Sequence, residues 1–103
     1  MNKFLFLSLL LLNQLNWISS VYWQKDDWAF ACDFTNNDFK NVKSQSSYCG
    51  PMCVADPVCT HFTWTDYNGG TCWMKKNTVS KSNAFDTNNY NMVCGILLCK
   101  FNN

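Results

Sequence analysis

The sequence predicts a small α+β domain, one short helix packed on a small antiparallel sheet and stapled by disulfides. Three observations lead there. All seven cysteines lie beyond an apolar leader-like N terminus, and exported thiols oxidise. Short stretches rich in Thr, Trp, Phe and Val, separated by turn formers, recur after residue 28, as half-buried strands require. A single segment, YCGPMCVA, places two cysteines four apart ahead of Asp56-Pro57, which is helical spacing with a built-in stop.

The first twenty residues, MNKFLFLSLLLLNQLNWISS, open with Lys3, continue through an apolar run from Phe4 to Leu12 broken by Ser8, and end on Ser19-Ser20. That is the layout of a secretory signal peptide over 1–20, cleaved near Ser20. The run is shorter than the roughly 20 apolar residues that cross a bilayer. Removal leaves about 83 residues, one domain with a core small enough to need covalent support. The expected organisation is a lead-in over 21–27, the domain over 28–99 and a C-terminal tail over 100–103.

Trp28, Phe30, Cys32 and Phe34 alternate with Ala29, Ala31 and Asp33, which reads as one strand with a buried face. Thr35-Asn36-Asn37-Asp38 is a turn, and Phe39 to Val42 reads as a second short strand. Ser46 or Ser47 is expected to cap the helix through its hydroxyl. Pro51 is expected in or near the first turn. Cys49 and Cys53 then share the face that meets the sheet. His61 to Thr65 and Thr71 to Lys75 form a hairpin whose loop, Asp66-Tyr67-Asn68-Gly69-Gly70, supplies positive φ at little cost. Phe62 and Trp64 fall on one face of the first strand, with His61, Thr63 and Thr65 on the other. In the second strand Cys72 and Met74 oppose Thr71, Trp73 and Lys75. Residues 76–91 have no clear period and read as a surface excursion, and Met92 to Leu98 as the last strand.

Six cysteines allow 15 pairings, and the placement of the elements favours one set. Cys53 and Cys59 straddle the helix exit, Cys49 on the helix can reach Cys72 on the hairpin, and Cys32–Cys94 would tie the first strand to the last. Cys99 is left unpaired or free to link two chains. The order CDFTNNDF, SSYCGPMCVADPVC, THFTWTDYNGGTCWMKK and a terminal MVCG resembles the PAN/apple family across residues 28–95. The resemblance implies a helix on an antiparallel sheet with nested helix–sheet disulfides. It also implies non-catalytic recognition of proteins or carbohydrates outside the cell.

Charge and chemistry narrow the function further. Beyond Lys3 the chain holds seven lysines and seven aspartates, with neither arginine nor glutamate, so nucleic acid is not an expected partner. Near-neutrality also counts against a cationic, membrane-active defence or toxin-like peptide, and no stable membrane insertion is expected. Cys49, Cys53, Cys59 and His61 supply four zinc-type ligands, but in an exported chain those thiols are expected as disulfides, so no metal and no cofactor is assigned. His61, the one histidine, lacks a nucleophile and an orienting partner, so no enzyme activity is expected. The expected function is a secreted binding module for an extracellular protein or glycan. Its candidate contacts are Asp66, Tyr67 and Asn68 of the hairpin loop, with Lys75 and Lys76 adding local charge. The alternatives are a structural extracellular matrix component cross-linked through Cys99 or a defence or toxin-like secreted peptide, and Cys99 also leaves a disulfide-linked dimer open.

Overall fold

The computed structural model describes residues 21–101. The expected signal peptide over 1–20 and the last two residues of the tail lie outside them. The domain is α+β, with one α-helix among the described residues. Its strands are β1 (Trp28–Phe30), β2 (Cys32–Phe34), β3 (Asp38–Lys43), β4 (His61–Thr65), β5 (Thr71–Lys75), β6 (Ala84–Asp86) and β7 (Val93–Ile96), and the helix α1 spans Ser46–Ala55. A five-stranded antiparallel sheet runs in the order β1-β7-β4-β5-β3, and β2 and β6 form a separate two-stranded ribbon.

The sheet is covered on both faces. On one side Cys49 and Cys53 of α1 are buried with Cys59, Phe62, Cys72 and Met74, flanked by Val42, Met52, Trp64 and Leu97. On the other, the ribbon contributes Cys32, Phe34 and Ala84 to a cluster with Ala29, Cys94 and Ile96, on which Val21, Trp23 and Phe101 also pack. Strand alternation drives this sorting, since successive side chains leave a strand on opposite faces. Disulfides join Cys32 to Cys94, Cys49 to Cys72 and Cys53 to Cys59. Each connects elements that the hydrophobic clusters already bring together, and each replaces two buried thiols by a covalent tie.

The hairpin occupies the expected residues. Its loop turns at Asn68, Gly69 and Gly70, with φ of 53°, 82° and 127°. Gly70 is required for a second reason: a Cβ there would stand 2.4 Å from the Ser44 carbonyl oxygen and 3.0 Å from the Trp64 ring.

Four local expectations are corrected. The stretch from Trp28 to Phe34 is not one strand. Ala31 adopts φ 57°, a left-handed conformation that costs a residue with a Cβ about 1–2 kcal/mol, and the chain passes there from the sheet to the ribbon. The bend also reverses the faces, so Ala29, Cys32 and Phe34 are buried while Phe30 is exposed. The helix is preceded by Gln45, with no side-chain cap hydrogen bond, and Pro51 lies inside it rather than in its first turn. The proline removes one i→i−4 bond and leaves the carbonyl of Ser47, an exposed residue, to solvent. The excursion over 76–91 contains β6, which pairs with β2. The final strand is shorter than expected and ends at Ile96, after which a 3₁₀ turn covers Leu98–Phe101.

That last turn closes the helix exit. The Lys100 ammonium donates to the carbonyls of Cys53 (2.9 Å), Asp56 (2.7 Å) and Cys59 (2.9 Å). All three protons find acceptors, two of them at the end of α1, where the helix dipole favours a cation. The Asp56 carboxylate accepts from Lys40 and from the backbone N–H groups of Val58 and Cys59. The Lys40 hydrogen bond first, and then those amides, hold its pKa below the ordinary value.

Candidate functional site: an aromatic and carboxylate cleft on the open sheet face

The ribbon covers only part of the sheet face opposite α1. Where it stops, Asp33, Asp38, Thr63, Thr65, Trp73 and Lys75 surround an open cleft of about 550 Å³, whose rim includes Asp66 and Tyr67. Antiparallel register assembles it. Asp38, Lys75 and His61 stand opposite one another on β3, β5 and β4, and two positions along β5, on the same face, Trp73 stands opposite Asn41 and Thr63.

Lys75 is the cation of the cleft. It is 3% exposed, and its Nζ donates to Asp38 Oδ1 (2.5 Å) and to the Asn36 carbonyl (3.1 Å), with Asp33 Oδ1 at 4.0 Å. A buried ammonium needs such partners. Lys75 therefore offsets one of the two floor carboxylates, Asp33 and Asp38, instead of presenting charge at the loop edge, as its place beside the hairpin suggested. Asp33 Oδ1 also accepts from the Thr63 hydroxyl (2.6 Å) and the Phe34 N–H (2.8 Å), which fixes the carboxylate and leaves its second oxygen for a ligand.

The rim is aromatic. Tyr67, 59% exposed, meets half-buried Trp73 at 6.0 Å between ring centroids and 43° between planes. Trp73 Nε1 donates to Thr65 Oγ1 (2.9 Å), which sets the indole on its strand. The Thr71 hydroxyl donates to the Tyr67 carbonyl (2.8 Å), and Gly70 N–H donates to the same carbonyl (3.0 Å). The loop that carries the tyrosine is thus held before any ligand arrives.

The other expected site residues are distributed around this cleft. Asn68 faces a neighbouring concavity with Asn41, Lys43 and Thr71, and Tyr67 borders both. Lys76 is exposed but lines neither space. Cys99 is an exposed free thiol. His61 lies under the ribbon: it is 0% exposed and Phe34 meets it edge-on at 4.8 Å. The Thr60 hydroxyl donates to the Asn77 carbonyl (2.5 Å) and stands 2.9 Å from His61 Nδ1. With its proton committed to Asn77, Thr60 accepts from Nδ1–H, and the unprotonated Nε2 is left without a partner. Burial first, and then the Lys75 charge, push the imidazole pKa down to about 4. The ring is sealed from the surface, and Cys49, Cys53 and Cys59 are all bridged, so the Cys–Cys–Cys–His set holds no free thiolate.

Asp33, Asp38, Thr63, Thr65 and Trp73 are cleft residues that sequence reasoning did not single out. Strand alternation placed Trp73 and Lys75 on a common face. The two aspartates reach that face only through the break at Ala31 and an irregularity between Asp38 and Lys40.

No helix among the described residues is long and apolar enough to cross a membrane, and three disulfides suit an oxidising compartment. Comparison of the chain with protein-family models, curated proteins and solved structures finds no match.

Proposed function

We propose that the protein is an exported, non-catalytic recognition module of PAN/apple type, and that the cleft binds a neutral or amine-bearing glycan. The observation that carries this reading is the Tyr67–Trp73 aromatic pair beside a floor rich in acceptors. Sugar rings stack their C–H faces on aromatic surfaces, and their hydroxyls donate to carboxylates. Asp33, Asp38 and Asp66 offer acceptors, whereas the ammonium of Lys75 is engaged. A sulfated or uronic acid glycan would bring negative charge to a surface already negative. The same fact favours a glycan over an acidic protein partner, since Lys75 is buried and Lys76 lies apart from the cleft.

Binding of neutral, amino and sulfated oligosaccharides by calorimetry tests the reading. Neutral or amino sugars are expected to bind and sulfated ones not to. Tyr67→Ala and Trp73→Ala are each expected to weaken binding about 10-fold, equivalent to about 1.4 kcal/mol. Tyr67 is exposed, so its removal leaves the fold standing, and unchanged sugar affinity in that variant rejects the site.

A second reading has its own observation. The exposed thiol of Cys99 suits a cross-linked matrix component, and a dimer or larger species on non-reducing electrophoresis, lost in Cys99→Ser, would support it.

A further inference from the structure

The helix side of the sheet carries a different concavity, a groove of about 470 Å³ between β1 and α1. Its volume lies within the roughly 300–1,000 Å³ range of small-molecule sites. Trp28 and Phe30 form one wall, Pro51 and Val54 the other, and Phe62 and Leu97 line it between them. Two glycines shape it. A Cβ on Gly95 would stand 2.3 Å from the Phe62 ring and one on Gly50 would stand 3.4 Å away, so their absence lets that ring settle between strand and helix. Phe30 and Val54, on opposite walls, remain 47% and 59% exposed. Large apolar side chains left to water around a concavity mark a place where something else is to be buried.

The groove holds one formal charge, and it is unpaired. Asp26 and Asp27 both adopt left-handed φ, 70° and 63°, in the bend that leads into β1. Asp27 is committed, since its carboxylate pairs with Lys81 at 2.7 Å and its carbonyl accepts from Ile96 N–H at 3.0 Å. Asp26 lines the groove, and its carboxylate makes no hydrogen bond or ion pair among the described residues. Two residues further on, the Trp28 and Phe30 rings meet edge to face at 5.0 Å and 79°. A carboxylate with aromatic faces close by is the arrangement that holds an alkylated ammonium. The start of α1 borders the same groove through Ser46 and Ser47. Its dipole carries only about half a positive charge, which the full charge of Asp26 outweighs.

We propose that this groove binds a small cationic amphiphile, with its apolar body along Phe62, Val54 and Leu97 and its ammonium head between Asp26 and the Trp28–Phe30 pair. The site is separate from the glycan cleft and does not depend on it.

The test is an amide NMR titration of the 15N-labelled protein, with its disulfides intact, by hexyltrimethylammonium, 1-hexanol and hexanoate. The expected result is saturable one-to-one binding of the ammonium, seen at Gly50, Val54 and Gly95, at least about 5-fold tighter than either control. Asp26→Asn, at an exposed position, is expected to bring the ammonium to within about 2-fold of hexanol. Tyr67→Ala is expected to leave ammonium binding unchanged, which separates this site from the glycan reading. Tighter binding of hexanoate would mean an anion site at the helix start and would overturn the proposal. Absence of saturable binding, an unaltered preference in Asp26→Asn, or self-association that covers the groove would each overturn it as well.

Discussion

The imidazole of His61 is enclosed by Phe34, Thr60 and the neighbouring strands, with one nitrogen bonded to Thr60 and the other facing no partner. Its pKa in the folded chain, about 4, lies below the ordinary 6.5, so between those values the unfolded chain binds the extra proton. Stability from this residue is complete above pH 6.5 and is lost as the pH falls toward 4, by up to about 3 kcal/mol at about 1.4 kcal/mol per pH unit. Urea midpoints measured from pH 7.5 down to pH 4 are expected to fall across that window, and His61→Leu is expected to flatten the fall. Asp56, whose pKa is held low chiefly by Lys40, adds its own loss only as the pH drops below the ordinary carboxylate value of 3.8. The two contributions thus separate along the pH axis, and Lys40→Met is expected to alter only the lower one.

Among the elements, β7 and α1 depend on contacts that reach well beyond their own residues. Gly95, in the middle of β7, lies beneath the Phe62 ring. Gly95→Ala forces that ring aside and is expected to cost about 1–3 kcal/mol, with part of the loss recovered when Phe62→Leu is added, as a double-mutant cycle by chemical denaturation would show. The end of α1 relies on Lys100, more than forty residues away in sequence. Lys100→Met keeps most of the stem and removes three charge-assisted hydrogen bonds. It is expected to destabilise by about 1–3 kcal/mol and to speed amide exchange at the end of the helix. The hairpin and the end of the helix were legible in the sequence because local chemistry sets them: Asn68-Gly69-Gly70 makes the turn, and Asp56-Pro57 stops the helix. The left-handed Ala31 was not legible, because nothing near an alanine announces positive φ. Nor was β6, three residues long, whose strand character comes from pairing with β2. The cleft was legible by half. Tyr67 and Asp66 belong to a recognisable loop, whereas Asp33 and Asp38 meet Lys75 only through long-range register.

Across the whole molecule, three cross-links of different span hold a helix, a five-stranded sheet and a ribbon together. Cys32–Cys94 encloses 62 residues of separation, Cys49–Cys72 encloses 23 and Cys53–Cys59 encloses 6. In the chain-entropy account their removal costs roughly 4, 3 and 2 kcal/mol respectively. Paired Cys→Ala variants are expected to lower the denaturation midpoint in that order, and the opposite order would show that native packing rather than loop closure dominates. These pairs could be read from the sequence because the helix puts two thiols one turn apart and the hairpin supplies a third. The layering of the ribbon over only part of the sheet, which leaves the cleft open, depended on where the chain bends and could not.

The longest of these cross-links joins β2 to β7, near the two ends of the described residues. Tension applied at the two termini therefore runs through a sulfur–sulfur bond and bypasses nearly everything between. Pulled in its oxidised form, the protein would yield the segments outside that bond, β1 and the turn that carries Lys100 among them, while the hairpin and the cleft beside it remain unloaded. The cross-linked chain would keep the residues between those two sulfurs in place under mechanical stress that unravels its reduced form.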